Sequence, residues 1–198
     1  MKKIASLFQR NYDGDRRVRD EIVPGSEWVS AGEGVATRKW DGMAVLVQNG
    51  LPFMRYDAKH GKTPPANFVP AQPAPDAKSG HWPGWVPAEG PNAARVLDGL
   101  AWGQKNLYQG AAIPDGTYEV CGPTIGTRHG PNPEGLTETI LVPHGRDLIE
   151  DCPRTYDDIR AYLKDRAIEG IVWHRANGDM VKIKKSDFPD EPPVVPRS

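Results

Sequence analysis

Apolar residues come in short bursts along this chain, and the bursts are separated by Asn-Gly pairs, prolines and lysines. Met43-Ala44-Val45-Leu46-Val47 and Phe53-Met54-Arg55-Tyr56 flank Asn49-Gly50; Gly170-Ile171-Val172-Trp173-His174 and Met180-Val181-Lys182-Ile183-Lys184 flank Asn177-Gly178. Both residues of an Asn-Gly pair tolerate positive φ, so the pattern predicts two antiparallel hairpins. In the last run Val181 and Ile183 alternate with Lys182 and Lys184. Alternate strand residues share a face, which sends both ammonium groups one way while the apolar pair enters the core. Gly116-Thr117-Tyr118-Glu119-Val120 reads as a further strand, with Glu119 where an apolar or β-branched residue is the norm. Glu169 stands where a helix hands over to a strand. Two segments have helical periodicity. One runs from about 92 to 105, with Ala94, Val96, Leu97, Leu100 and Ala101 as its apolar stripe; the other from about 156 to 167, opened by the capping-box-like pair Thr155 and Asp158.

Residues 62–91 are dense in proline, glycine and tryptophan, including Pro64-Pro65 and His81-Trp82-Pro83-Gly84-Trp85. Proline removes ladder donors and fixes φ, so this insert is expected to be ordered and loop-like, not strand or long helix. Phe68, Trp82, Trp85 and Val86 are too apolar for a solvated linker and predict packing on the domain. Residues 189–198 read as an extended tail. The expectation is a single α+β domain over residues 1–188.

A chain of 198 residues can bury about two-thirds of its unfolded surface around one core. A formal charge of −1 excludes nucleic-acid binding by bulk positive charge, leaving only a local patch, to which Lys2, Lys3, Arg10, Arg16, Arg17 and Arg19 are candidates. Such residues more often form a solvated face. Cys121 and Cys152 lie far apart and form no C-x-x-C pair, and the five histidines have no ligand spacing, so a transition-metal enzyme is disfavoured. The apolar start Ile4-Ala5-Ser6-Leu7-Phe8 stops at Gln9-Arg10, too short for a signal-peptide core, and no later run reaches membrane length. The expectation is an intracellular, cytoplasmic protein with neither a membrane nor an obligate protein partner.

Lys39-Trp40-Asp41-Gly42 carries the candidate chemistry. A lysine at the mouth of a sheet, with a carboxylate two residues on, can attack a nucleotide phosphate and keep it as a covalent adduct. It attacks only as the neutral amine, which neighbouring cations, a metal ion or partial burial would favour. Average residue usage produces K-x-D-G in about one chain in twenty of this length, so the weight falls on order. Glu119 on its strand, then Glu169-Gly170-Ile171-Val172, then Lys182-Ile183-Lys184 follow in succession. Each alone would read as a solvent-facing strand acid or a lysine-protected sheet edge.

In that order the motifs resemble those of the covalent nucleotidyltransferase superfamily of ligases and capping enzymes. Arg55-Tyr56-Asp57-Ala58-Lys59-His60-Gly61-Lys62-Thr63-Pro64-Pro65, continuing to Gly80–Pro87, resembles more narrowly a family of small ATP-dependent RNA ligases found in vertebrates as well as microbes. The resemblance covers roughly residues 37–185. It implies a nucleotidyltransferase fold of antiparallel sheets flanked by helices, ATP-grasp-like. It further implies ATP and Mg²⁺ (or Mn²⁺), with Lys39 as the nucleophile that takes AMP, and RNA bearing 5′-phosphate and 3′-hydroxyl ends as the partner to be sealed. Asp41 would organise metal-bound water, Arg55 contact phosphate-bearing intermediates, Glu119 bind the ribose and Glu169 support the metal, again through water. Lys182 and Lys184 would grip the phosphate, and Val172 would pack on the adenine; Arg38 and Gly42, flanking the nucleophile, complete the implied nucleotide-binding set. The family's second adenine-stacking aromatic is missing from Thr137–Val142. Fourteen residues follow Lys184, so no OB-fold domain is expected, which favours RNA ligation over DNA ligation or capping.

Other motifs fail on context. Gly61-Lys62-Thr63 lacks the earlier P-loop glycine, Tyr56 standing in its place, and Gly32-Glu33-Gly34 leads into a hairpin instead of a βαβ unit. The alternatives that stay open are a DNA ligase, another covalent nucleotidyltransferase, and a non-catalytic RNA-binding module in which the aromatic insert stacks bases.

Overall fold

The computed structural model describes residues 2–77, 79–125 and 134–189. In chain order the strands are β1 (Ala5–Ser6), β2 (Phe8–Arg10), β3 (Val18–Ile22), β4 (Val35–Lys39), β5 (Met43–Gln48), β6 (Leu51–Ala58), β7 (Val69–Pro70) and β8 (Trp82–Pro87). Helix α1 (Ala94–Asn106) precedes β9 (Gly116–Cys121) and β10 (Ile140–Pro143); helix α2 (Tyr156–Lys164) precedes β11 (Gly170–His174) and β12 (Met180–Lys184). The described residues are thus mixed α+β, mostly sheet. None of their helices is long and apolar enough to cross a membrane. The chain divides into two compact units, one of Met1–Lys3 with Trp40–Arg146 and one of Ile4–Lys39 with Asp147–Ser198.

The unit of Ile4–Lys39 with Asp147–Ser198 contains a four-stranded sheet in the order β1-β12-β11-β4. β11 is antiparallel to both neighbours, and the short β1 joins β12 in parallel, the one departure from the all-antiparallel expectation among the described ladders. Because side chains alternate, one face presents Ala36, Ile171, Trp173, Val181 and Ile183, all buried. Tyr156, Ile159 and Leu163 of α2 join the same core at helical spacing. Thr155 caps α2, its hydroxyl accepting from the Asp158 N–H and donating to the Asp158 carboxylate at 2.6 Å. The helix stops at Lys164, three residues before the expected end. Its continuation is replaced by side-chain contacts: Lys185 Nζ donates to the Arg166 carbonyl at 3.1 Å and Arg38 to that of Ala167 at 3.2 Å.

The unit containing Trp40–Arg146 has a six-stranded antiparallel sheet, β10-β9-β5-β6-β8-β7. Val45, Val47, Tyr118, Val120 and Leu141 form its core with Val96 of α1. The helical stripe differs from the one expected. Gly99 and Gly103 are buried with Val96, whereas Leu97 is exposed. A Cβ on either glycine would come within 2.7 Å of Val120 or 2.5 Å of Leu141, so the helix lies closer to the sheet than larger residues would allow.

Asn49 and Gly50 both have positive φ, as the β5–β6 turn requires. The β11–β12 link is wider: Arg175 donates to Asp179 O and accepts from Gly178 N, and of the Asn-Gly pair only Gly178 is left-handed. The proline-rich insert contradicts the loop expectation, because β8 is a full strand within it. Pro83 O accepts from Ala71 N, so the alternate positions Pro83, Trp85 and Pro87 direct their backbone groups to the β7 side. The missing proline donors therefore face a two-residue strand and spare the long ladder to β6. The tail expectation falls largely on residues 190–198, outside the described residues.

Candidate active site

Register assembles the lysines. Gly170 of β11 pairs with Lys39 of β4 on one side and Lys184 of β12 on the other; Val172 pairs with Thr37 and Lys182 in the same way. Directly opposed residues share a face, so Lys39, Lys182, Lys184 and Val172 all lie on the face opposite the buried core. β12 runs between β1 and β11, so its lysines do not merely protect a sheet edge. Gly170 puts no side chain between the two lysine stems. It has no room for a side chain, since a Cβ there would lie 2.1 Å from the Ile183 carbonyl oxygen.

Glu169 closes this row. One of its carboxylate oxygens meets the Lys39 ammonium and the other the Lys184 ammonium. The carboxylate is 11 % exposed and Lys39 19 %, so the ion pairs are partly withdrawn from water and stronger than surface pairs. Lys182 stands beside these pairs on the same face. Burial, then repulsion from Lys39 and Lys184, brings its pKa down to about 8, against the pull of Glu169 and Asp187. Such a lysine sits near the border between ammonium and amine at physiological pH, a hallmark of sites tuned for chemistry. Two lysines bridged by one carboxylate, with a third beside them, form a face that an anion, above all a polyphosphate, would neutralise.

Arg38 does not join them. It leaves β4 on the opposite face from Lys39 and reaches the Ala167 carbonyl. Asp41, Gly42, Arg55 and Glu119 belong to the other unit. There, a Cβ on Gly42 would meet the Val120 carbonyl oxygen at 2.3 Å and Glu119 Cγ at 2.9 Å, so this glycine permits the close approach of β9. The Asp41 N–H donates to Glu134 at 3.4 Å. Arg55 lies over the Trp85 ring, 5.2 Å from its centroid, and burial lowers its pKa while Asp57 and Glu119 raise it. Glu119, 12 % exposed, is held at 2.8 Å by His144 Nε2. Sequence reasoning missed His144 as the partner of Glu119, because it stands twenty-five positions away with nothing local to link them.

Among the described residues no three His, Cys, Asp or Glu side chains cluster to hold a metal ion. A Mg²⁺ carried on nucleotide phosphates needs only one or two carboxylates and keeps its waters, a requirement that Glu169 in the lysine row can meet. Neither Cys121 nor Cys152 is in a disulfide.

A lysine face with one bridging carboxylate, complementary in charge to an anion, is the class of site this sheet defines. No family model matches the chain. It is similar to the curated protein RNA ligase 1 of Pongo abelii, 29 % identical over 175 residues covering 70 % of this chain and 52 % of that protein. RNA ligase 1 of Mus musculus is 29 % identical, with 63 % of this chain and 47 % of that protein covered; that of Danio rerio is 31 % identical, covering 57 % and 42 %. The chain spans about half the length of the curated relatives it matches. The resemblance drawn from the motifs is thus borne out as a relationship to RNA-ligase-like proteins.

Proposed function

We propose that the chain is an ATP-dependent RNA ligase with a nucleotidyltransferase fold, working through a lysyl-AMP intermediate on Lys39. The observation that carries this reading is the Glu169 bridge between Lys39 and Lys184 with Lys182 on the same face. Glu169 takes a proton from the Lys39 ammonium and frees its lone pair. A bond forms between Nζ and the α-phosphorus as the α-phosphorus–oxygen bond to pyrophosphate breaks, and pyrophosphate leaves with the electron pair. The second Nζ proton passes to solvent. Lys182 and Lys184 stabilise the charge developing on the phosphates.

In the second step a 5′-phosphate oxygen of RNA attacks the AMP phosphorus and Lys39 departs as the amine, regaining its proton. In the third, a 3′-hydroxyl loses its proton to solvent and its oxygen bonds to the 5′-phosphorus as the phosphorus–oxygen bond to AMP breaks, so that AMP leaves with the electron pair. Glu169 would help to hold, through water, a Mg²⁺ carried on the phosphates, whose charge would screen the triphosphate; a metal role for Asp41 rests on the resemblance alone. The ribose role of Glu119, the adenine contact of Val172 and the phosphate contact of Arg55 rest on the resemblance and are proposed with it. Arg38, turned to the opposite face of β4, supports the fold at Ala167 in this reading.

The test is incubation with α-phosphate-labelled ATP and Mg²⁺ or Mn²⁺, denaturation, and detection of label on the polypeptide. Wild type should retain label and Lys39→Ala should not. Label on neither would overturn the reading and leave a binding module, which should keep its RNA affinity in Lys39→Ala.

A further inference from the structure

The N-terminal segment runs alongside the lysine strand. Ala5 and Ser6 pair with Val181 and Lys182, and Leu7 N donates to the Lys182 carbonyl at 2.8 Å. Past the strand, Arg10 and Arg17 turn back onto the 3₁₀ turn Lys185–Asp187. Arg10 Nη2 meets Asp187 Oδ1 at 2.6 Å while its Nη1 donates to the Arg16 carbonyl at 2.6 Å, and Arg17 donates to the Ser186 carbonyl. Asp187 is 7 % exposed, and its other oxygen accepts from the backbone N–H of Lys184 at 3.0 Å. One buried carboxylate therefore joins an N-terminal arginine to the backbone of a site lysine 174 positions away. A buried ion pair of this kind is a poor source of net stability but a strong constraint on geometry.

From this arrangement we infer that the N-terminal segment is a clamp on β12, and that Arg10 and Asp187 are positioning residues that set Lys182 and Lys184 against a nucleotide phosphate. The inference rests on the nucleotidyl transfer proposed above. It gives the basic N-terminal residues a use other than contact with nucleic acid: Arg10 and Arg17 are spent on the strand end, and Arg19 on Asp15 at 2.9 Å. The charges facing Lys182 are Lys39 from β4, Lys184 from β12 itself, Glu169 from the segment before β11 and Asp187 from the turn. Arg10 balances the last of these. Losing either member of the pair should free the Lys185–Asp187 turn from the N-terminal segment and loosen the end of β12 that carries both lysines.

The experiment is the single-turnover rate of label transfer from α-phosphate-labelled ATP to the full chain as a function of ATP concentration, for wild type, Asp187→Asn, Arg10→Gln, Arg10→Lys and the Asp187→Asn/Arg10→Gln double variant, with circular dichroism to verify folding. Asp187→Asn and Arg10→Gln should each lower the rate at saturating ATP about tenfold, Arg10→Lys should recover most of it, and the double variant should lose no more than either single. Should one single variant not fold, the other and Arg10→Lys decide. Rates at saturating ATP within about twofold of wild type, or losses that multiply in the double variant, would overturn the clamp while leaving the ligase reading intact; absence of label in wild type would overturn that reading first.

Discussion

Lys39 and Lys184 stand opposite the same residue, Gly170, one on each neighbouring strand, and share the carboxylate of Glu169. Two cations far apart in sequence are thereby held by one anion across a residue that has no side chain. The arrangement costs electrostatic repulsion, which a bound polyanion would relieve.

Gly170→Ala tests the gap. Its Cβ would fall 2.1 Å from the Ile183 carbonyl oxygen and 2.8 Å from Lys184 Cα, both backbone, so only a strand displacement can accommodate it. Destabilisation of at least about 2 kcal/mol is expected, read by thermal and urea unfolding.

Glu169→Gln keeps the shape but removes the shared anion. Label transfer from ATP should fall about a hundredfold, the scale of a lost proton acceptor. A rate within a few-fold of wild type would remove Glu169 from the chemistry.

Lys182 makes stability depend on pH. Its folded pKa of about 8 lies below the ordinary 10.5, so between these values the unfolded chain binds more protons. Stability should therefore rise with pH through that window, the sign opposite to that of a salt-bridged lysine. Lys182→Met should flatten this rise and unfold at higher denaturant at neutral pH.

The thiols should be inert in the folded chain. Cys121 is 0 % exposed, and burial pushes Cys152 up to about 11. At pH 8 only about one Cys152 in a thousand is thiolate, so iodoacetamide should label neither until denaturant is added. Fast labelling of the native protein would contradict this packing.

Local chemistry was legible in the residues. Both hairpins, the strand under Glu119 and the common face of Lys182 and Lys184 follow from periods of two and from Asn-Gly turns, and the α2 cap from the Thr155 hydroxyl with Asp158 three residues on. Where reading failed, a long-range contact had overridden a local preference. β8 forms despite Pro83 and Pro87 because their missing donors face the short β7. The α1 stripe runs through Gly99 and Gly103 because Val120 and Leu141 press against it, a closeness that composition does not announce.

The order of Lys39, Glu119, Glu169 and the Lys182–Lys184 pair pointed to nucleotidyl-transfer chemistry before any fold was known, because each motif is short and locally encoded. That Lys39 lies level with Lys184, that Glu169 reaches both, that Arg38 points away and that Arg10 grips Asp187 emerged only in three dimensions. Strand register is a global property, set by which apolar residues must be buried together. Ala36, Ile171 and Ile183 enter one core, and in doing so they bring the lysines on the opposite face into a single row.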